Sequence, residues 1–214
     1  MRRFPGRSGV SVNAGLARGL VAAGLALAAT AAAGAPPEAY VQRFAERCAA
    51  CHGTAGVSTL AGTPSLAGQP SFYAITQLFL FRDGRRDNAV MTAVAKDMRD
   101  ADLRGFSEVI GALAAAPAAA AGAAEPERLA RGQALAGKLH CVGCHGADFA
   151  GGKQVPRLAG QREDYLRTAL AGFRAGRRVG YTPAMTEALA GVPAEALDDL
   201  AHFLSHYLAH FPVR

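Results

Sequence analysis

All four cysteines of the 214-residue chain stand in two Cys-x-x-Cys-His elements, Cys48-Ala49-Ala50-Cys51-His52 and Cys141-Val142-Gly143-Cys144-His145. Two thiols at this spacing sit about one helical turn apart, which suits addition across the two vinyl groups of a porphyrin. A histidine directly after the second thiol turns its ring toward the iron. Other uses of such thiols fit less well. A structural zinc site needs four soft or imidazole donors, and each element offers two thiols and one ring, with a long stretch between the elements. A redox dithiol is expected beside a βαβ pattern, of which the chain has no sign. A disulfide across so short a step closes a small strained loop. The pattern points to two covalently bound haem c groups, with Cys48, Cys51, Cys141 and Cys144 carrying the links and His52 and His145 facing the metal.

A second axial ligand of thioether type raises the potential of haem iron. Met91 lies 39 residues after His52, and Met185 lies 40 after His145. A methionine at helical spacing is more often core filler than a ligand, but these two hold matching places in a repeat. Met98 competes in the first copy, and Val192 stands at its place in the second. His140, His202, His206 and His210 fall outside the repeat and read as surface or helix-face residues. His202 or His206 would be the first replacement if Met185 did not serve.

The elements that position these groups come in two copies. Pro64-Ser65-Leu66-Ala67-Gly68-Gln69 recurs as Pro156-Arg157-Leu158-Ala159-Gly160-Gln161, Tyr73 as Tyr165, and Phe81-Arg82 as Phe173-Arg174. Gly84-Arg85-Arg86 recurs as Gly176-Arg177-Arg178. Between the copies, Ala114 to Ala124 holds only Ala, Gly and Pro117 before Glu125-Pro126, which reads as a linker. Residues 73–81 and 165–173 read as middle helices. Leu103, Phe106, Ile110 and Leu113 align with Leu197, Leu200, Leu204 and Tyr207 at helical spacing, so each copy ends on an amphipathic helix. Asp100 and Asp102 suit the start of the first such helix, Pro193 and Glu195 that of the second. No alternating run suggests a sheet, and the expected class is all-α.

Residues 1–33 carry Arg2, Arg3, Arg7 and Arg18, no acid, and an apolar run ending in Ala31-Ala32-Ala33. That is the layout of a secretory signal peptide, too short in its apolar part for a retained span. The expected organisation is a leader at 1–33, a first haem domain at 34–113, a linker at 114–126 and a second haem domain at 127–214. The formal net charge is +6, and loss of the four leader arginines leaves +2. Haem carboxylates would bring the mature chain near neutrality, so a nucleic-acid partner lacks electrostatic support. No later stretch is long and apolar enough to span a membrane, while peripheral association with one stays open.

With both haem elements, both Pro-x-Leu-Ala-Gly-Gln segments and both methionines, the chain resembles the cytochrome c4 family of bacterial dihaem proteins. The resemblance implies two tandem class I cytochrome c domains related by a pseudo-twofold axis, placed in the periplasm. It implies that His52 and Met91 hold one iron and His145 and Met185 the other. It also implies that the carbonyls of Pro64 and Pro156 accept a hydrogen bond from the histidines. The six arginines from Arg82, Arg85 and Arg86 to Arg174, Arg177 and Arg178 could compensate propionate charge near the domain interface, although such clusters are more often solvated surface. The expected role is outer-sphere electron transfer without bond-making chemistry, from a quinol-oxidising complex to a terminal oxidase or other acceptor. The cytochrome subunit of a sulfide- or alcohol-oxidising dehydrogenase is the alternative. A dihaem peroxidase would need an open iron position, against which the two matched methionines speak.

Overall fold

Pro126 opens a helix at a position where its missing N–H leaves no bond unmade, and Asn88 opens another by accepting the Met91 N–H on its side-chain oxygen at 2.9 Å. The computed structural model describes residues 36–116, 122–178 and 183–210. The expected leader and residues 117–121 of the expected linker lie outside the described residues. Five helices form in the first copy: α1 (Glu38–Arg47), α2 (Ala49–His52), α3 (Ser71–Arg82), α4 (Ala89–Ala95) and α5 (Asp100–Ala112). Five follow in the same order in the second: α6 (Pro126–Lys138), α7 (Val142–His145), α8 (Glu163–Arg174), α9 (Ala184–Ala188) and α10 (Ala194–His210). Among the described residues the only β-type pairing is one isolated bridge between Gly152 and Val155, so the all-α expectation holds. No described helix is long and apolar enough to cross a membrane.

Each copy has its own core. Leu103, Phe106 and Ile110 of α5 are buried with Phe44, Leu78 and Phe81. Leu197, Leu200 and Leu204 of α10 are buried with Leu166, Leu170 and Phe173. Leu113 and Tyr207, the last members of the two stripes, are only partly buried where the helices run out. The first and last helices of each copy cross at a glycine. A methyl group at Gly105 would run into the Tyr40 ring, and one at Gly132 into the Asp199 carbonyl.

Asp102 locks the crossing of α1 and α5. Its carboxylate accepts the Arg43 guanidinium at 2.7 Å, the Tyr40 hydroxyl at 3.1 Å and the Arg99 N–H at 2.9 Å. The Arg43 guanidinium holds the carboxyl well below the usual range, and the Arg99 N–H and Tyr40 hydroxyl add to that against the opposing effect of burial. A depressed folded-state pKa means that this stabilisation is complete above the unfolded value near ~4 and fades as pH falls through it toward the folded value. Asp102→Ala should therefore cost about 3 kcal/mol at neutral pH, since its part-buried donors lose a charged acceptor. The cost should shrink below about pH 4. Denaturant midpoints across pH check this, and a pH-independent difference would reject the linkage.

Candidate functional site

The two Cys-x-x-Cys-His elements build the same local structure. In each, the second thiol and the histidine sit on a single-turn helix, α2 or α7, that stops at a glycine with φ of +82° or +81°. The buried His52 ring donates its Nδ1–H to the Pro64 carbonyl at 2.9 Å, and His145 does the same to Pro156 at 3.0 Å. A carbonyl can only accept, so Nδ1 carries the proton and Nε2 keeps its lone pair. Burial lowers the pKa of both rings, outweighing the opposing pull of the carbonyl. Each ring is thus a neutral, oriented donor of the kind metals take.

None of the four cysteines is joined in a disulfide. Burial pushes the Cys48 thiol up to about 11 and the Cys141 thiol up as well. Activated thiols have depressed values, the opposite of the direction at Cys48 and Cys141. Cys48, Cys141 and Cys144 border one cavity of about 370 Å³ together with His52, His145, Met91 and Met185. Cys51 is exposed and does not border it. Met91 on α4 and Met185 on α9 are half-buried. Met98 also borders the cavity. Its backbone carbonyl accepts from Arg82 at 3.3 Å, as that of Val192 accepts from Arg174 at 3.1 Å.

The cavity tests whether haem fits. Its walls are mostly leucine, phenylalanine and other apolar side chains of both cores, with the amides Gln69, Gln77, Asn88, Gln154 and Gln161, the cations Arg86, Arg157 and Arg178, and no aspartate or glutamate. Burial lowers the pKa of the Arg157 guanidinium against the weaker opposing pull of the Asp148 charge. An apolar wall with cations and neutral imidazoles suits a flat apolar macrocycle that carries its own carboxylates.

The halves meet around this cavity through matched contacts. Gln69 bonds the backbone of Arg157, and Gln161 bonds the backbone of Ser65. Arg86 donates to the Tyr165 hydroxyl at 2.9 Å, and Arg178 also bonds it. Burial raises the phenol's pKa, and the two guanidiniums more than reverse this, so it is lowered to about 8. Arg86 and Arg178 each lie 4.4 Å from the ring centre of Phe81 or Phe173. The two glutamine contacts are reciprocal between the halves. The six repeated arginines divide by position. Arg86 and Arg178 reach the cavity, Arg82 and Arg174 hold backbone carbonyls, and Arg85 and Arg177 are exposed.

Of the surface or helix-face expectation for the histidines outside the repeat, the second part holds for His202 and His206, which are buried on α10 and do not border the cavity. His202 donates Nδ1–H to Glu163 at 2.9 Å and accepts the Glu125 N–H on Nε2 at 3.0 Å. The His206 Nδ1–H donates to the His202 carbonyl at 2.9 Å. This polar face of α10 is covered by the segment leading into α6. The side chain of His210 lies outside the described residues, and His140 is an exposed residue at the cavity border. Gln69, Gln161, Tyr165 and Arg157 were visible only as landmarks of the repeat, and their recurrence is the signal that pointed to them.

Two such sites in one helical chain define its class, a c-type cytochrome of the class I fold that carries two covalently bound haem c groups. A family model described as Cytochrome c matches residues 129–207. The chain is 37% identical over 157 residues to a thiosulfate dehydrogenase electron acceptor of Thiomonas intermedia (strain K12), covering 69% of each. It is 35% identical over 164 residues to cytochrome c4 of Pseudomonas aeruginosa, covering 72% of this chain and 77% of that one. The crystal structure of reduced recombinant cytochrome c4 from Pseudomonas stutzeri superposes with a TM-score of 0.71 at 28% identity, covering 81% of this chain and 98% of that one. The chain belongs to the cytochrome c4 family and is a dihaem electron carrier of that type.

Proposed function

We propose that His52 and Met91 hold one iron and His145 and Met185 the other, with Cys48, Cys51, Cys141 and Cys144 making the thioether links. The leader at 1–33 directs export to the periplasm, and haem domains at 34–113 and 127–214 are joined by the linker at 114–126. The observation that carries the ligand assignment is the pair of neutral imidazoles, each tied by Nδ1–H to a proline carbonyl on the wall of one acid-free cavity. Bound haem supplies a one-electron ferric/ferrous couple. The chain's own residues orient the imidazoles, present thioethers, exclude water with two apolar cores, and line the cavity with Arg86, Arg157 and Arg178, which would offer cationic partners to the group's carboxylates.

Electrons pass from a quinol-oxidising complex to a terminal oxidase in this reading. A second reading, a periplasmic dehydrogenase as donor, is favoured by the likeness to the Thiomonas protein, whose name makes it a thiosulfate dehydrogenase's acceptor. Protein matured with haem-attachment machinery should contain two haems per chain that stay with the polypeptide under denaturing electrophoresis, and its first residue should lie near Gly34. One haem, or haem lost on denaturation, overturns the assignment. Reduction by a thiosulfate dehydrogenase faster than by a quinol-oxidising complex decides for the second reading.

A further inference from the structure

Each histidine-binding loop is held by a side chain of the other half. The Gln161 Oε1 accepts the Ser65 N–H at 2.8 Å, and its Nε2 donates to the Ser65 carbonyl at 2.8 Å. The Gln69 Oε1 accepts the Arg157 N–H at 3.1 Å, and its Nε2 donates to the Arg157 carbonyl at 2.9 Å. Both glutamines are buried. Ser65 follows Pro64 and Arg157 follows Pro156, so the Pro64 carbonyl and the Ser65 N–H are the two ends of one peptide unit. That unit is a rigid plane. One end takes the His52 Nδ1–H and the other is fixed by Gln161. The second half repeats the arrangement with His145, the Pro156–Arg157 plane and Gln69.

We propose that the two glutamines are positioning residues that work crosswise: Gln161 of the second half sets the His52 imidazole, and Gln69 of the first half sets that of His145. The proposal rests on the reading of these histidines as iron ligands. The strength of the Nδ1–H to carbonyl bond governs how much electron density an imidazole gives its metal. A clamp supplied from across the junction makes that strength depend on the docking of the halves. Each redox centre thereby senses whether the other half is seated. Without the clamp the peptide plane is free to tilt, the bond to the ring weakens, and the ferric state loses stabilisation. The potential of that haem then rises while the other keeps its value.

The test uses the full dihaem chain with Gln161→Met and, separately, Gln69→Met, which keep length and remove both bonds. The two irons are told apart by the ferric NMR signals of the Met91 and Met185 methyl groups, and each is titrated spectroelectrochemically. Q161M is expected to raise the ferrous fraction of the His52 haem severalfold at fixed potential and to speed exchange of the Ser65 amide proton roughly tenfold. Q69M should do the same to the His145 haem and the Arg157 amide. A shift confined to the variant's own half, equal shifts in both haems, or no shift overturns the proposal. Should Q161M fail to fold, Gln161→Glu retains an acceptor for the Ser65 N–H and should move the same haem by less, and a shift in the other haem rejects the crosswise role. A wild-type spectrum lacking two low-spin His/Met irons defeats the ligand reading instead, so the two failures are distinct.

Discussion

Prepared without covalent haem, the chain is expected to lose its cooperative unfolding transition. Side chains from both cores, among them Phe81, Phe106, Leu170 and Leu200, face a shared cavity of about 370 Å³. At ~24 cal/mol per Å³ of unfilled core volume, that amounts to on the order of 9 kcal/mol. The whole stability of a typical domain is only about 5–15 kcal/mol. Units of this size also bury a modest fraction of their surface, so they have little surplus stability. Electrostatics point the same way, because Arg86, Arg157 and Arg178 share the wall without an acidic residue among them. The Cys48→Ala, Cys51→Ala, Cys141→Ala, Cys144→Ala quadruple variant should keep part of its helical circular dichroism, bind apolar dye and melt over a broad range. A sharp transition within about 2 kcal/mol of the haem-bearing protein would show that the helices pack without the macrocycle.

That dependence explains which features could be read from the chain. Covalent attachment demands a fixed order of thiols and ring, so Cys48 to His52 and Cys141 to His145 announce themselves by spacing alone. The stripes of α5 and α10 were legible because burial of one helix face imposes a period, and the two copies calibrated each other. The proline carbonyls followed from the resemblance, and the structure places both within hydrogen-bond distance of the rings. Burial of His202 was not legible, since its partners Glu163 and Glu125 lie 39 and 77 residues away and nothing local announces them. The division of the six arginines was hidden for a related reason. Arg82 and Arg86 are four residues apart on adjoining segments, and only the turn between α3 and α4 decides that one caps a carbonyl while the other enters the junction. The glutamine clamps needed both halves in place, because a glutamine after Ala-Gly reads from sequence as an ordinary polar turn residue.

Met185→Ala should abolish the thioether charge-transfer band of one ferric haem and leave the other, with Met91→Ala giving the complementary loss. The affected potential should fall by more than the ~59 mV that corresponds to tenfold in a one-electron equilibrium, because a thioether favours the ferrous state and its loss removes that preference. Met98 is the discriminating control in the first half, since it borders the same cavity. It is buried in the first core, its carbonyl accepts from Arg82, and Val192 occupies the equivalent place with its carbonyl held by Arg174. Valine has no atom to offer a metal, so the place that Met98 and Val192 share is a packing position. Met91 and Met185, by contrast, are half-buried on the short helices α4 and α9. Met98→Leu should accordingly keep both bands and cost less than about 1.5 kcal/mol, as volume-conserving core exchanges do. Loss of a band in Met98→Leu with retention in Met91→Ala would move the ligand of the first iron seven residues along the chain. It would also break the correspondence between the two halves on which the assignment stands.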